Sequence, residues 1–392
     1  MQFCGIICEF NPFHNGHKYL IDEAKKQTGD DIICLMSGNF VQRGEPAIQE
    51  KYLRAKTAIE NGADIVLELP TIFACSNAEN FAMGAVKILN ALGVNHLAFG
   101  VEKTSLDILQ RIAEIKFNNS ISFQNSFKNE IENGINFNTA LKRAIAKEFD
   151  DVQILEVLSK PNNILAVEYL TAIKKLNSEI EPIAIQRVDN GYNSITSKNQ
   201  YLSASGIREK LFNNEDISKF IPNQINKVNI FNTSCEDKFS ALALYKLRTS
   251  EAKYLAKIYD YNEGIEYRIK NFANEISGLE NLCKLVSTPR YRESRVKKLL
   301  LYPLLDITKS KARLAKKCKP FAKVLAISKT KKDILSKISK RTINLVVTNK
   351  DYDKLSINQK KIIEIDLHAS NIYNLSINNQ NNNDKKTGTL FI

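Results

Sequence analysis

The sequence predicts an α/β protein with a doubly wound, Rossmann-like parallel sheet in its first half and a mostly helical, basic second half. Three observations support this prediction. Short apolar runs alternate with helical patterns of ten to fifteen residues through the first two hundred residues, as parallel βαβ units do. The alternation stops after about residue 212. The positive charge of the chain is concentrated beyond that point.

Five apolar runs are the strand candidates, and they cover residues 3–10, 31–37, 64–70, 96–100 and 182–188. Pro12 stops the first run and Pro70 the third, because proline cannot donate to a central ladder. Helices are predicted over residues 15–27, 50–62, 79–93, 104–116, 122–148 and 161–176. Gly62 and Gly93 are helix stop signals, and Pro161 is a start signal. Because the strands are apolar throughout, both faces of the sheet should be covered.

The second half has a different pattern. Long helical stretches cover residues 236–260 and 263–286, a basic helical piece covers 308–319, and two short strand candidates cover 323–328 and 343–348. The segment NLSINNQNNNDKKTG is rich in asparagine and is predicted to be a loop or disordered. We therefore expect domains at 1–212 and 213–375, followed by an Asn-rich tail at 376–392.

Composition limits the class of protein. The 392 residues are 43% hydrophobic and 25% charged, which is ordinary for a globular chain. No apolar run reaches the roughly 18 residues that a membrane helix needs, and the first residues do not resemble a signal peptide. A cytoplasmic protein with no membrane partner is expected. The seven cysteines are scattered without a CxxC pair, which predicts reduced, mostly buried thiols and no cysteine metal site.

Charge is distributed unevenly along the chain. Residues 1–200 contain 20 basic and 24 acidic residues, whereas residues 281–350 alone contain 20 basic and 3 acidic residues. Such a segment either binds a polyanion or is a solvated, lysine-rich surface. The charge run alone favours the second alternative slightly.

The stretch FNPFHNGH follows the first predicted strand and opens the first predicted helix. Asn15 can cap that helix, and Gly16 lets the backbone approach a ligand closely. The start of a helix attracts phosphate, and imidazoles at His14 and His17 can donate hydrogen bonds to phosphate oxygens in a transition state. The two histidines could instead satisfy backbone groups of a turn. The position at the end of a strand in a βαβ fold favours a nucleotide site.

The motif H-N-G-H in this context resembles the HxGH signature of the nucleotidylyltransferase and class I aminoacyl-tRNA synthetase superfamily. The longer strings GIICEFNPFHNGHKYLIDEAKK, MSGNFVQRGEPA, GADIVLELP, SKPNNIL and SASGIR resemble the tRNA(Met) cytidine acetate ligase family over residues 1 to about 212. The likeness continues more weakly through EGIEYRIK and TPRYRESRVKKLLLYPLL.

The resemblance implies a nucleotidylyltransferase-like catalytic domain that binds ATP. In that family ATP and acetate form acetyl-adenylate. The acetyl group then goes to the wobble cytidine of elongator tRNA(Met), giving N(4)-acetylcytidine, and acetyl-CoA is not used. ATP, with Mg²⁺, and acetate are therefore the expected small-molecule partners. No protein metal ligand is assigned.

The resemblance also implies the site residues, with His14 and His17 as the catalytic pair. The ATP-binding residues that it implies are Ile7, Cys8, Glu9, Phe10, Asn11, Pro12, Phe13, His14, Asn15, Gly16, His17, Lys18, Tyr19, Leu20, Gly100, Asn162, Arg187, Val188, Ser203 and Ser205. Ser203 and Ser205 could equally serve only as helix-capping residues. Gln42 and Arg43 could close over the nucleotide or acetate, and we assign them no step. A small apolar acetate pocket is expected near Phe10 and Phe13.

For the tRNA surface, PRYRESRVKK places basic side chains at three-residue spacing, on one side of a helix. A tyrosine among them could stack on an unpaired base. The predicted tRNA-binding residues are Arg290, Tyr291, Arg292, Arg295, Lys297 and Lys298.

Two other functions remain open on the sequence. One is a small-molecule nucleotidylyltransferase that makes a dinucleotide cofactor at the same HxGH site. The other is a nucleic-acid-binding protein with a vestigial nucleotide site. The basic second half disfavours the former, and the intact histidine pair disfavours the latter. The oligomeric state is not predictable.

Overall fold

Parallel strands from the first half of the chain form the centre of the sheet. The structure, a computed structural model, describes residues 2–151, 153–188, 200–223, 230–341, 343–377 and 384–392. The parallel strands are β1 (Phe3–Cys8), β2 (Asp31–Ser37), β3 (Ile65–Leu69), β4 (His96–Val101) and β5 (Glu181–Gln186). Their order is β5-β4-β1-β2-β3, so the chain winds in one direction from β1 to β3 and in the other through β4 and β5. This confirms the predicted doubly wound α/β fold.

Helices cover both faces of these strands. They are α1 (Asn15–Thr28), α2 (Lys51–Glu60), α3 (Thr71–Ala74), α4 (Ala78–Leu92), α5 (Leu106–Asn118), α6 (Ile121–Glu132), α7 (Phe137–Phe149), α8 (Ile154–Val157), α9 (Pro161–Lys175) and α10 (Ala204–Phe212). All residues of β2 and β3 are buried, as expected for a sheet between two helical layers. The predicted helix over 122–148 is two helices, because Gly134 turns the chain at a φ of 78° and Asn136 caps α7.

The second half is built mainly from helices with their own apolar core. They are α11 (Thr233–Thr249), α12 (Ala252–Leu255), α13 (Ile265–Glu275), α14 (Leu279–Val286), α15 (Glu293–Leu304), α16 (Lys309–Lys317), α17 (Asp333–Ser339), α18 (Ile357–Ser376) and α19 (Asp384–Thr387). Tyr261, Leu299 and Leu305 are among the side chains buried in this core. None of the helices in the described ranges combines the length and apolar character that crossing a lipid bilayer requires.

The second half also completes the sheet. Its strands are β6 (Phe321–Ile327), β7 (Asn344–Val346) and β8 (Leu390–Phe391). β6 runs antiparallel to β3, while β7 and β8 pair with β6 in parallel. The sheet therefore crosses the predicted boundary at residue 212. The prediction of a loop or disordered segment over 374–388 is wrong at its two ends, where α18 runs to Ser376 and α19 is helical; residues 378–383 lie outside the described ranges.

A buried charge network explains the order at the C-terminal end. Lys51 Nζ, whose side chain is fully buried, lies 2.6 Å from Glu68 Oε1 and 2.5 Å from Asp384 Oδ2. Lys323 Nζ lies 3.0 Å from the same oxygen of Asp384. Charges buried in this way must be paired, because an unpaired charge in the interior is costly. Asp384 thus fixes α19 against α2 and β6.

Candidate active site

A cleft with a volume of about 630 Å³ opens at the carboxyl ends of β1, β4 and β5. Between β1 and β4 the winding direction of the sheet reverses, and α/β folds bind ligands at such a reversal. The cleft has the size of a small-molecule site. Its walls come from the HNGH turn, the end of β4, the start of α9, residues after β5 and the start of α10.

His14 and His17 lie together at the start of α1. His14, rather than the predicted Asn15, is the N-cap: its Nδ1 accepts a hydrogen bond from the backbone N–H of Gly16 at 3.0 Å. His17 Nδ1 accepts from the backbone N–H of His14 at 3.3 Å. Because both Nδ1 atoms accept, a neutral ring carries its proton on Nε2. Each imidazole is thus held as an Nε2–H donor.

The surroundings keep both imidazoles neutral. Burial lowers the pKa of His14 to about 3, and the positive charge of Arg187 adds to the effect. Burial, His14 and Arg187 together lower the pKa of His17 well below its ordinary value. The two rings stack with centroids 3.6 Å apart, an arrangement in which two imidazolium charges would repel each other. The pair is therefore suited to donate hydrogen bonds, without carrying charge, to an anionic ligand.

Close packing fixes the two rings. A Cβ added at Gly16 would lie 2.9 Å from His14 Cε1, so this position has no room for a side chain. The rings of Phe10 and Phe13 lie 5.0 and 5.7 Å from that of His17. Both phenylalanines are buried, and Phe13 does not line the cleft. Both rings thus pack against His17, and an acetate pocket near them stays a prediction.

Gly100 and Arg187 are neighbours across β4 and β5. A Cβ at Gly100 would lie 3.1 Å from Arg187 Cγ, so the glycine makes room for the arginine stem. The backbone N–H of Arg187 donates to Val101 O at 2.9 Å. Within the part of the chain that the structure describes, no carboxylate pairs with its guanidinium. Arg187 thus offers a free cation to the cleft, close enough to the imidazoles to affect their pKa.

Asn162, at the start of α9, is held by a carboxylate that the sequence prediction did not include. Its Nδ2 donates to Glu102 Oε1 at 2.6 Å. The next residue, Asn163, accepts from the backbone N–H of Glu102 at 2.8 Å and fixes the chain after β4. Both residues line the cleft, and their amide and carboxylate oxygens are suited to bind hydroxyl or amine donors.

The SASGIR segment connects α10 to the histidine turn. Ser203 is the N-cap of α10, with its Oγ accepting from Gly206 N–H at 3.2 Å, and Ser205 Oγ lies 3.0 Å from Ser203 Oγ. Ser203 therefore does cap α10, and both serines also line the cleft. Arg208 Nη1 donates to Asn11 O at 2.7 Å, which ties this helix to the HNGH turn.

Comparisons with known proteins identify the family. The HIGH Nucleotidyl Transferase family matches residues 1–388. A tRNA(Met) cytidine acetate ligase from Thermoanaerobacter sp. (strain X514) is 38% identical over 393 residues, covering 97% of this chain and 96% of the relative. The chain belongs to the tRNA(Met) cytidine acetate ligase family. A ligase of the same name from Clostridium perfringens (strain ATCC 13124) is 37% identical, with 95% of each chain covered.

The fold agrees with this assignment. A crystal structure of Thermotoga maritima TmcAL bound with alpha-thio ATP matches with a TM-score of 0.89 and 28% identity, covering 100% of both chains. An apo form of the same protein matches with a TM-score of 0.90 and 27% identity, again over 100% of both chains. The predicted family, fold class and enzyme class, a ligase, are thereby confirmed.

Most of the predicted ATP-binding residues of this family member line the cleft. Those that do are Ile7, Cys8, Glu9, Phe10, Asn11, His14, Gly16, His17, Tyr19, Leu20, Gly100, Asn162, Arg187, Val188, Ser203 and Ser205. Pro12, Phe13, Asn15 and Lys18 are in the turn or on α1 without lining it. Asn15 Nδ2 donates to the backbone oxygens of Gln200 and Lys219, and Lys18 pairs with Asp22 at 2.9 Å. Their contribution to ATP binding stays a prediction.

Several cleft residues were missed in the sequence. Glu102 follows β4 directly, so the rule that places ligands after parallel strands could have found it. Arg208 lies in the SASGIR motif, five residues after Ser203, and only the fold reveals its contact with the HNGH turn. Phe81 and Tyr169 come from the interiors of α4 and α9 and line the apolar wall of the cleft. In the sequence, an apolar residue of a helix that lines a cleft shows the same periodicity as one that packs in the core, so the two cannot be told apart.

Only some of the side chains predicted to bind tRNA are free to contact RNA in this structure. Tyr291 is buried, and its hydroxyl donates to Asn262 O at 3.0 Å, so the ring cannot stack on a base in this arrangement. Arg295 makes two hydrogen bonds to Asp260, at 2.8 and 2.7 Å, and Lys298 Nζ donates to Ser76 O at 3.0 Å. Two of the three basic side chains predicted to share a side of α15, Arg295 and Lys298, are thus engaged with the protein.

The other basic residues of this cluster are exposed. They are Arg290, Arg292 and Lys297, and each also contacts the protein: Arg290 pairs with Glu263, Arg292 donates to Asn136 Oδ1, and Lys297 lies 3.8 Å from Glu45. Glu45 belongs to the loop of Arg43, and Arg43 is exposed at the cleft. Exposed basic side chains are therefore found both on α15 and on the loop of Glu45 and Arg43 at the cleft.

All seven cysteines are free and buried, as predicted. The residues that the structure describes include no group of three or more His, Cys, Asp or Glu side chains placed to hold a metal ion.

Proposed function

We propose that the chain is an ATP-dependent acetate ligase that makes N(4)-acetylcytidine at the wobble position of elongator tRNA(Met). Acetate and ATP would first form acetyl-adenylate and pyrophosphate, and acetyl-CoA would take no part. The name of the 37–38% identical relatives and the ATP analogue in the Thermotoga maritima structure support this proposal. The enzyme would act in the cytoplasm, and Mg²⁺ would enter on the triphosphate.

The observation that carries the proposal is the pair of neutral imidazoles at the start of α1. In the first step, an acetate oxygen bonds to the α-phosphorus while the bond from that phosphorus to the β-phosphate bridging oxygen breaks. Negative charge then accumulates on the departing pyrophosphate. The Nε2–H groups of His14 and His17, the guanidinium of Arg187 and the start of α1 all direct positive potential into this region.

In the second step, the N4 amine of cytidine attacks the acetyl carbon. The new C–N bond forms, the bond from the acetyl carbon to the AMP oxygen breaks, and one proton leaves the nitrogen. The positive surface formed by Arg43, Arg292 and Lys297 would hold phosphates of the tRNA near the cleft mouth. Because such contacts are electrostatic, this binding should weaken as salt rises.

Isotope exchange tests the first step. The protein is incubated with ATP and labelled pyrophosphate, with and without acetate, and the label entering ATP is measured. We expect exchange that depends on acetate. Exchange that instead requires a phosphorylated metabolite would support a small-molecule nucleotidylyltransferase, and an absence of exchange with retained tRNA binding would refute the ligase.

Variants then separate the two halves of the site. His17→Ala should abolish exchange and leave tRNA affinity unchanged. Lys297→Ala should weaken tRNA binding and reduce its salt dependence while exchange is retained. Tyr291→Phe, which removes only a buried hydroxyl, is the matched control and should leave tRNA affinity unchanged. If His17→Ala loses tRNA affinity as well, the role given to this residue is wrong.

A further inference from the structure

The second step needs a group that accepts the proton leaving the cytidine amine. We propose that Glu9 is this general base: its carboxylate receives the N4 proton as the C–N bond to the acetyl group forms. This inference rests on the proposed function, because it concerns the transfer half of that reaction. It follows from where Glu9 lies, how its carboxylate is held, and which other groups in the cleft are already engaged.

Glu9 is the first residue after β1, and its side chain lines the cleft. Its Oε1 accepts a hydrogen bond of 2.8 Å from the backbone N–H of Gln42. That bond fixes the carboxylate between the end of β1 and the loop after β2. Among the described residues, Oε2 has no hydrogen-bond partner. One oxygen is thus used for orientation, and the other is free to accept a proton.

The imidazoles are poor candidates for the same task. His14 Nδ1 and His17 Nδ1 already accept backbone hydrogen bonds, and each neutral ring has its proton on Nε2. Taking up another proton would break the capping pair at the start of α1. It would also place a positive charge beside Arg187 and the other ring. The same geometry that makes them donors to phosphate therefore prevents them from acting as bases.

The other carboxylates of the cleft are held differently from that of Glu9. Glu102 Oε1 accepts from the side-chain amide of Asn162 at 2.6 Å and from its backbone N–H at 3.3 Å. Glu45 lies 3.8 Å from Lys297 Nζ, and its side chain is about one-third exposed. Burial raises the pKa of the Cys8 thiol, which stays protonated. Glu102 also keeps one oxygen without a partner among the described residues. Two hydrogen bonds nevertheless hold its carboxylate to Asn162, whereas the carboxylate of Glu9 accepts only one and is the less engaged of the two.

The surroundings of Glu9 give its carboxylate a pKa that suits a general base. Burial raises the pKa of Glu9, while the N–H of Gln42 and the positive charges of Arg54, Arg208 and Arg43 act in the opposite direction. Arg54 Nη1 donates to the backbone oxygen of Glu9, at 2.5 Å, and no Lys or Arg of the described ranges forms an ion pair with the Glu9 carboxylate. The other titratable groups whose charges interact with Glu9 are Cys8, Cys75, Tyr169 and Lys298. A carboxylate with a raised pKa is a better proton acceptor than an ordinary one.

Glu9→Gln tests the proposal with little change of shape. The amide oxygen can still accept from Gln42 N–H, but the side chain can no longer take up a proton. Because Glu9 is also among the predicted ATP-binding residues, acetate-dependent pyrophosphate exchange is measured on the same variant at saturating ATP and is the reference for its transfer rate. Single-turnover acetyl transfer to the tRNA should fall about 10²–10⁴-fold, as for loss of a general base. Glu9→Asp should restore part of the transfer rate.

Glu50→Gln is the matched control. Glu50 also carries a carboxylate whose pKa burial raises and which accepts backbone hydrogen bonds, from Leu53 at 2.9 Å and Tyr52 at 3.3 Å. It caps α2 and does not line the cleft. Its variant should retain both half-reactions. In wild type, the transfer rate should decline toward acidic pH with an apparent pKa above that of an ordinary glutamate, and Glu9→Gln should lack this decline.

The outcomes separate the two proposals. If wild type shows neither acetate-dependent exchange nor transfer, the proposed function fails before any variant is made. If wild type shows both and Glu9→Gln transfers acetyl at the wild-type rate, Glu9 is not the base. Equal losses of exchange and transfer in Glu9→Gln would show that the carboxylate serves ATP binding or folding, which also overturns the inference.

Discussion

The substitution Gly16→Ala tests whether the position of the His14 ring matters for activity, because it displaces the ring and leaves the imidazole itself unchanged. The added Cβ would lie 2.9 Å from His14 Cε1 and 3.1 Å from Nδ1, and the ring cannot yield easily because it stacks on His17 at 3.6 Å. The imidazole should therefore leave its capping position. Loss of the cap costs about 1 kcal/mol. Alanine in place of glycine inside a helix gains about 0.5–1 kcal/mol. The two effects nearly cancel.

The prediction is consequently a loss of activity without a matching loss of stability. Removing one positioned donor to a transition-state charge typically lowers the rate about 10²–10³-fold. Acetate-dependent pyrophosphate exchange measures this rate, and urea unfolding measures stability, which should change by less than about 1 kcal/mol. Lys26→Ala, at an exposed position in the last turn of α1, is the control and should leave exchange unchanged. Normal exchange by Gly16→Ala would show that a fixed His14 ring is not required.

Three further predictions concern charge. Arg187→Met should raise the KM for ATP about 10- to 100-fold, because a hydrogen bond to a charged group contributes about 1.5–3 kcal/mol; an unchanged KM in steady-state kinetics would contradict the phosphate role. Asp384→Ala should lower the free energy of unfolding by about 3–5 kcal/mol in urea, since Lys51 and Lys323 lose a buried partner; Asp333→Ala, at an exposed pair, should change it little. Because His14 has a pKa of about 3 when folded and an ordinary value of 6.5, wild type should lose stability relative to the non-titrating His14→Asn as pH falls from about 6.5 to about 3. Parallel pH profiles for the two proteins would refute that assignment.

Local sequence signals were sufficient to predict most strands and helices of the first half of the chain. The strand over 31–37 matches β2, and the helix predicted over 161–176 matches α9 to within one residue. These elements have apolar periodicity and clear stops, which depend only on neighbouring residues. The HNGH turn could be placed for the same reason, since Pro12 ends the strand before it. Its resemblance to a known motif then supplied the chemistry.

Other features depend on distant parts of the chain. Asparagine is a better helix cap than histidine in general, so the sequence favoured Asn15. The fold instead uses His14, whose ring also stacks on His17. Likewise, the spacing of Arg292, Arg295 and Lys298 showed that they share a side of α15 but not which side. Asp260 and Ser76, which are distant in sequence, engage Arg295 and Lys298, whereas Arg292 stays exposed.

The pairing of β3 with β6 has a consequence for biosynthesis. Ile65 pairs with Ile327, so about 260 residues must be translated before the partner strand exists. At roughly 5–20 residues per second, the ribosome needs on the order of ten to fifty seconds for that distance. During this interval the nascent chain has an uncovered strand at β3, and uncovered strands attract other chains. We therefore expect the nascent chain to need a chaperone at the ribosome exit until β6 has emerged and can cover β3.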